Sequence, residues 1–119
     1  VNETPAKRPI SPLPARDAVA ALATAGGDAD LAAELFSTLL EGLPGELEDL
    51  RHCLAESDWP GLAEHAHQVR GATRYCGVPA LDDAMEALER AAKIGDPSLI
   101  REGFERVLSE AERLQGGAD

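Results

Sequence analysis

The stretch LAAELFSTLLEGLPGELEDLRHCLA, residues 31–55, decides the fold. Its apolar members Leu35, Phe36, Leu39, Leu40, Leu43, Leu47, Leu50 and Leu54 recur at three- and four-residue spacings, the repeat that lines one face of an α-helix. The stripe keeps its phase across Pro44-Gly45. A proline there removes one backbone hydrogen bond and crowds the carbonyl of Leu40, so a kink in a continuing helix is expected rather than a long loop. Asp28 or Asp30 can cap the start, each offering a side-chain oxygen to the exposed amides of a first turn.

Outward from this helix the same pattern repeats. Ser57 or Asp58 caps a second long helix, from about Trp59 to Tyr75, and Gly77-Val78-Pro79 interrupts before Pro79 opens another in the first-turn position that proline favours. Leu81, Ala84, Met85, Leu88 and Ala92 form the stripe of that third helix. Asp96-Pro97 starts the last one, with Ile100, Phe104, Val107, Ala111 and Leu114 as its buried side. Towards the N-terminus a short helix, about Arg16 to Thr24, ends at Gly26-Gly27. Residues 1–15 contain Pro5, Pro9, Pro12 and Pro14 without apolar periodicity and read as an extended interdomain linker, and residues 116–119 are expected to fray. Residues 16–115 then form one domain. Four amphipathic helices with short connections predict an all-α fold: an up-and-down antiparallel four-helix bundle with a short extra N-terminal helix.

Composition agrees. Aromatic residues make up 3% of the 119, against a hydrophobic share of 44% dominated by alanine and leucine, which suits close-packed helices better than strands. The formal net charge of -11 gives a field that repels nucleic acid and anionic lipid. Cys53 and Cys76 stand alone, with no second pair to make a disulfide framework or a zinc pattern, so reduced thiols in a cytoplasmic compartment are expected. No uninterrupted apolar run approaches the roughly 18 to 20 residues needed to span a bilayer. The start at Val1 rather than Met suggests a chain cut from a longer polypeptide or processed.

Chemistry concentrates in LAEHAHQVRGATRYCG, residues 62–77. On a helix, Leu62, Ala66, Val69, Thr73 and Cys76 make the core stripe, while His67, Arg70, Gly71 and Arg74, at i, i+3, i+4 and i+7, share an adjacent face expected to look outward. A solvent-facing imidazole is largely neutral at physiological pH and offers a ring-nitrogen lone pair as nucleophile. Two arginines within two turns can bind phosphate oxygens. Gly71 places no side chain one turn away, so another surface can approach the ring. Each feature alone has a plainer explanation: exposed histidines and arginines usually just meet water, and a helical glycine can serve packing. The conjunction on one face raises the functional reading. His65 lies about 200° from His67 around the helix, so the two cannot easily share a metal ion, and no metal site is expected. His52 has Glu56 where His67 has Gly71.

His67-Gln68-Val69-Arg70-Gly71-Ala72-Thr73 resembles the histidine phosphotransfer motif His-x-Leu-Lys-Gly-Ser-Ser. With Arg74-Tyr75-Cys76-Gly77-Val78-Pro79-Ala80-Leu81 it is similar to the phosphotransfer domain at the C-terminus of tripartite hybrid sensor kinases of the BarA/GacS type, over about residues 16 to 114. The resemblance implies that His67 is the phosphoacceptor, Arg70 the basic residue and Gly71 the small residue admitting a receiver domain. Gln68 and Arg74 join them on the partner-binding surface. It further implies transfer from a receiver phosphoaspartate to His67 and on to a downstream response regulator, in the cytoplasmic part of a sensor kinase. Arginine in place of lysine keeps the charge and changes the donor geometry, which bears on partner choice. No acidic cluster beside His67 is visible in the sequence, so Mg²⁺ is expected from the receiver, and no nucleotide motif indicates that the chain uses ATP itself. Two other classes fit the same helices: an interaction module that docks receiver-like partners without phosphorylation, and a bundle enzyme or cofactor carrier, against which the lack of ligand pairs argues.

Overall fold

Four aspartates punctuate the chain into helices. Asp17, Asp28, Asp58 and Asp96 each accept a hydrogen bond from a first-turn amide, and so begin α1 (Ala18–Thr24), α2 (Ala29–Ala55), α3 (Trp59–Thr73) and α5 (Pro97–Gln115). The intervening α4 (Pro79–Ile94) has no side-chain cap; it opens with Pro79, whose missing N–H is one of the unpaired donors of a first turn in any case. Of the two expected alternatives at each position, Asp28 rather than Asp30 and Asp58 rather than Ser57 do the capping. A computed structural model describes residues 11–116, and among these there are five helices and no strand.

Helix α2 runs through Pro44 unbroken, as its apolar phase requires. Its end is a tight reversal in which Ser57 N–H donates to Leu54 O and Asp58 N–H to Cys53 O, with Ser57 in the left-handed region at φ 53. Asp58 therefore closes α2 and starts α3. Helix α3 stops at Thr73, two residues before the expected Tyr75, because the chain turns at Gly77 (φ +66) to meet the start of α1. A β-carbon on Gly77 would lie 2.5 Å from Asp17 O. Asp17 N–H donates to Gly77 O at 2.7 Å across the same crossing.

Each long helix packs on its sequence neighbour, most extensively α3 on α4, then α4 on α5 and α2 on α3, giving the up-and-down bundle with α1 as an outlying turn against α2. Leu43, Leu50, Leu62, Leu81, Met85, Leu88, Ile100 and Val107 are fully enclosed at its centre. Each such side chain contributes about 1.5–3 kcal/mol through removal from water. Gly103 sets the α4–α5 spacing, since a β-carbon there would stand 3.3 Å from Leu88 Cα. No helix among the described residues is long and apolar enough to cross a membrane.

The first ten residues of the proline-rich segment, and residues 117–119, lie outside the described residues. Residues 11–15, read from the sequence as part of an extended linker, are held against the bundle. Ser11 N–H donates to Glu110 Oε2 (2.8 Å), Arg113 donates to the carbonyls of Ser11 (3.1 Å) and Leu13 (2.7 Å), and Ala15 is buried. An extended proline-rich segment cannot pair its own carbonyls, and the Arg113 fork, itself fixed on buried Glu110 at 3.0 Å, supplies donors from α5. At the other end Gly116 N–H still bonds Glu112 O, so the expected fraying does not reach Gly116.

Candidate functional site

The α3 core stripe is buried as its spacing requires: Leu62, Ala66, Val69, Thr73 and Cys76 all face the interior. That fixes the helix's rotation and puts His67 on the flank facing α4, with its side chain 64% exposed. Its Nδ1 lies 3.0 Å from Glu89 Oε2 on α4. Glu89 is itself only 8% exposed and ties three donors together, for Lys93 Nζ reaches the same Oε2 at 3.0 Å and Arg70 Nη1 approaches Oε1 at 3.4 Å. Burial alone would raise the Glu89 carboxyl. Hydrogen bonds from Lys93 and Arg70, the Lys93 charge and the hydrogen bond from His67 outweigh that and hold it below the usual carboxylate range.

An ionised carboxylate accepts only, so in the neutral imidazole Nδ1 carries the proton and Nε2 keeps its lone pair. The ring is thus held by one nitrogen with the other presented as a nucleophile. His67, Gln68, Glu64, Glu89 and Lys93 border a shallow depression of about 390 Å³.

Arg70 departs from the outward orientation expected of it. Its side chain is 16% exposed and folds back between Glu89 and Asp82, whose Oδ1 is 3.7 Å from Nε and also accepts from Thr73 Oγ1 at 2.7 Å. Two carboxylates close to α3 outcompete water for the guanidinium. Arg74 and Gln68 are exposed as expected. A β-carbon on Gly71 would meet nothing within 4 Å, so its place on the helix is open space. Beyond it, between α2 and α3, runs a largely apolar groove of about 590 Å³ whose walls include Leu35, Thr38, Gly42, Gln68, Gly71 and Tyr75. Structure therefore groups His67, Gln68 and Gly71 on an accessible ridge, with Arg70 beneath and Arg74 a turn further along.

Sequence reasoning missed Glu89, Lys93 and Asp82. The one local signal was Glu89 itself, a carboxylate sitting in phase with the stripe Leu81, Met85, Leu88 and Ala92 and followed four residues later by a lysine. His65 faces the opposite flank, towards α2, and His52 is exposed on α2 away from this cluster.

Residues 34–117 match the family described as the Hpt domain. The sensor protein GacS of Pseudomonas syringae pv. syringae is 42% identical over 76 residues, which are 64% of this chain and 8% of that protein. The signal transduction histidine-protein kinase BarA of Escherichia coli (strain K12) is 26% identical over 115 residues, 90% of this chain and 12% of its own length. Among solved structures, the HPT domain of a sensor hybrid histidine kinase from Shewanella superposes with a TM-score of 0.75 at 28% identity, covering 87% of this chain and 89% of the other. The chain thus spans a small part of the kinases it resembles and nearly the whole of the isolated domain. A histidine on a bundle helix, the bundle itself and the matched residues agree: this chain belongs to the Hpt domain family, the histidine phosphotransfer domains of two-component phosphorelays.

Proposed function

We propose that His67 is the phosphoacceptor, taking a phosphoryl group at Nε2 from the phosphoaspartate of a receiver domain and passing it to the aspartate of a downstream response regulator. The observation behind this reading is the asymmetry of the ring, with Nδ1 held on nearly buried Glu89 while the residue as a whole is largely exposed. In the forward step the Nε2 lone pair attacks phosphorus, the P–O bond to the aspartyl carboxylate breaks, and that carboxylate leaves with the electron pair. The proton on Nδ1 stays where it is, and the positive charge that develops on the ring is offset by Glu89. The return step reverses each change.

In this reading Arg70 positions Glu89, Lys93 places a cation beside the ring, Gly71 admits the receiver, and Gln68 and Arg74 contact it. Mg²⁺ is supplied by the receiver, because the Glu89 oxygens are already engaged by Arg70, Lys93 and His67. The partners are the receiver of a parent hybrid kinase and that of a response regulator, in the cytoplasm, with no nucleic acid involved. Incubation with a phosphorylated receiver tests the proposal: the parent chain should acquire acid-labile phosphate, while His67→Gln should acquire none and keep its helical circular dichroism. Labelling of His67→Gln at the parent rate would refute the assignment, and receiver binding without labelling of the parent would establish the docking module instead.

A further inference from the structure

Away from His67, on the flank of α3 that meets α2, three side chains converge whose chemistry the phosphotransfer reaction does not use. Glu46 and Asp49 stand one turn apart on α2, and His65 reaches across from α3. Nε2 of His65 lies 2.7 Å from Glu46 Oε1 and 3.8 Å from Asp49 Oδ2, and one donor atom from each residue falls within 4.8 Å of the other two. We infer that Glu46, Asp49 and His65 form a binding site for a zinc-like divalent transition-metal ion, built across the α2–α3 seam.

The separations suit it. In a tetrahedral site with bonds of about 2.0–2.1 Å, donor atoms stand about 3.3 Å apart, and the two distances to Nε2 bracket that value. The bonding of the histidine nitrogen adds to this. Nε2 of His65 is closed to solvent and makes no hydrogen bond, although Glu46 is within reach, because the carboxylate lies off the axis along which the ring nitrogen bonds. Donors that share an ion stand off one another's axes in this manner and point to a common centre between them. A cation there would give that nitrogen an on-axis partner in place of the off-axis contact to Glu46, and would cancel the repulsion of two carboxylates in a chain already at net charge -11.

The donor set selects the ion. One imidazole with two carboxylates suits Zn²⁺, Co²⁺ or Ni²⁺, whereas Mg²⁺ and Ca²⁺ prefer oxygen alone. With three protein ligands a fourth position remains for water or for a group on a partner. Glu46 also borders the groove between α2 and α3, so occupancy would change the charge that the groove presents.

Isothermal titration of the full chain with ZnCl₂, in a buffer that does not bind zinc, tests the inference. One equivalent should bind, with excess Mg²⁺ unable to compete. His65→Gln and Glu46→Gln should each weaken binding at least about tenfold, whereas His52→Gln and His67→Gln should leave it unchanged. Side-chain NMR of the parent should show the His65 ring signals moving on zinc addition, a readout that does not depend on any variant. No binding at millimolar zinc, or binding that survives His65→Gln and is lost in His67→Gln, would overturn it.

Discussion

Replacing Glu89 probes the hinge of the proposed chemistry. Glu89→Gln retains the size and one acceptor oxygen but removes the charge that Arg70, Lys93 and His67 share. Lys93 is 65% exposed, so screening by water leaves its pairing little weight. Arg70 is 16% exposed and keeps only the longer contact to Asp82, so most of the lost stability arises there, about 1–2 kcal/mol. For His67 the bond to a carboxylate, discounted for the ring's exposure, is worth about 1 kcal/mol, or roughly a fivefold slower transfer. Glu89→Ala, which also removes the acceptor, should slow transfer by more than about tenfold and release the ring to a mixture of tautomers. Single-turnover transfer from a phosphorylated receiver measures the rates. Nitrogen-15 imidazole spectra at about pH 8, above the usual histidine titration, read the tautomer directly. If Glu89→Ala transfers at the parent rate with Nδ1 still protonated, the carboxylate neither orients nor activates His67 and the reasoning fails.

Two of the helical glycines, Gly71 and Gly103, should respond in opposite ways. Gly71→Leu, built into open space, should hold or raise thermal stability while slowing transfer; Gly103→Leu should destabilise by about 1–3 kcal/mol or more by driving α5 off Leu88, as chemical denaturation would show. Ser57→Gly should stabilise the fold by up to about 1 kcal/mol, because Ser57 holds a left-handed backbone that glycine adopts freely, and an unchanged denaturation midpoint would contradict that. The depressed Glu89 titration also sets a pH dependence. Its folded value lies below that of the unfolded chain, so the stability it contributes is complete above about pH 4.3 and is lost as pH falls through the lower folded value. Over that acid window Glu89→Gln should lose less stability per pH unit than the parent, and parallel curves would refute the linkage.

How much of this was legible in the chain depends on the range of the interaction concerned. Helices and their buried faces follow from a 3.6-residue repeat, so the stripe Leu62, Ala66, Val69, Thr73 and Cys76 and the ridge of His67 and Gly71 could be read locally. The caps at Asp28, Asp58 and Asp96 were equally local, whereas Asp17 fell inside the expected first helix. Which face of α4 meets His67 depends on how two helices are rotated against each other, and nothing within residues 62–77 encodes that. Glu89, 22 residues on, was therefore invisible as a partner, and Arg70 looked like a solvated charge although two carboxylates of α4 draw it inward. The same holds for Glu110 and Arg113, whose partners are backbone atoms about a hundred positions earlier.

That last contact has a mechanical side. A load applied to the chain ahead of Ser11 does not act first on the small helix α1. It meets Arg113 and Glu110, whose hydrogen bonds to Ser11 and Leu13 hold the leading segment on α5. Torque from whatever precedes residue 11 is delivered to the end of the bundle where α5 finishes and α3 gives way to α4, the latter joined through Pro14 O and Ala80 N–H. The bundle is thus gripped at Ser11 and Leu13 by the helix that comes last among its described residues.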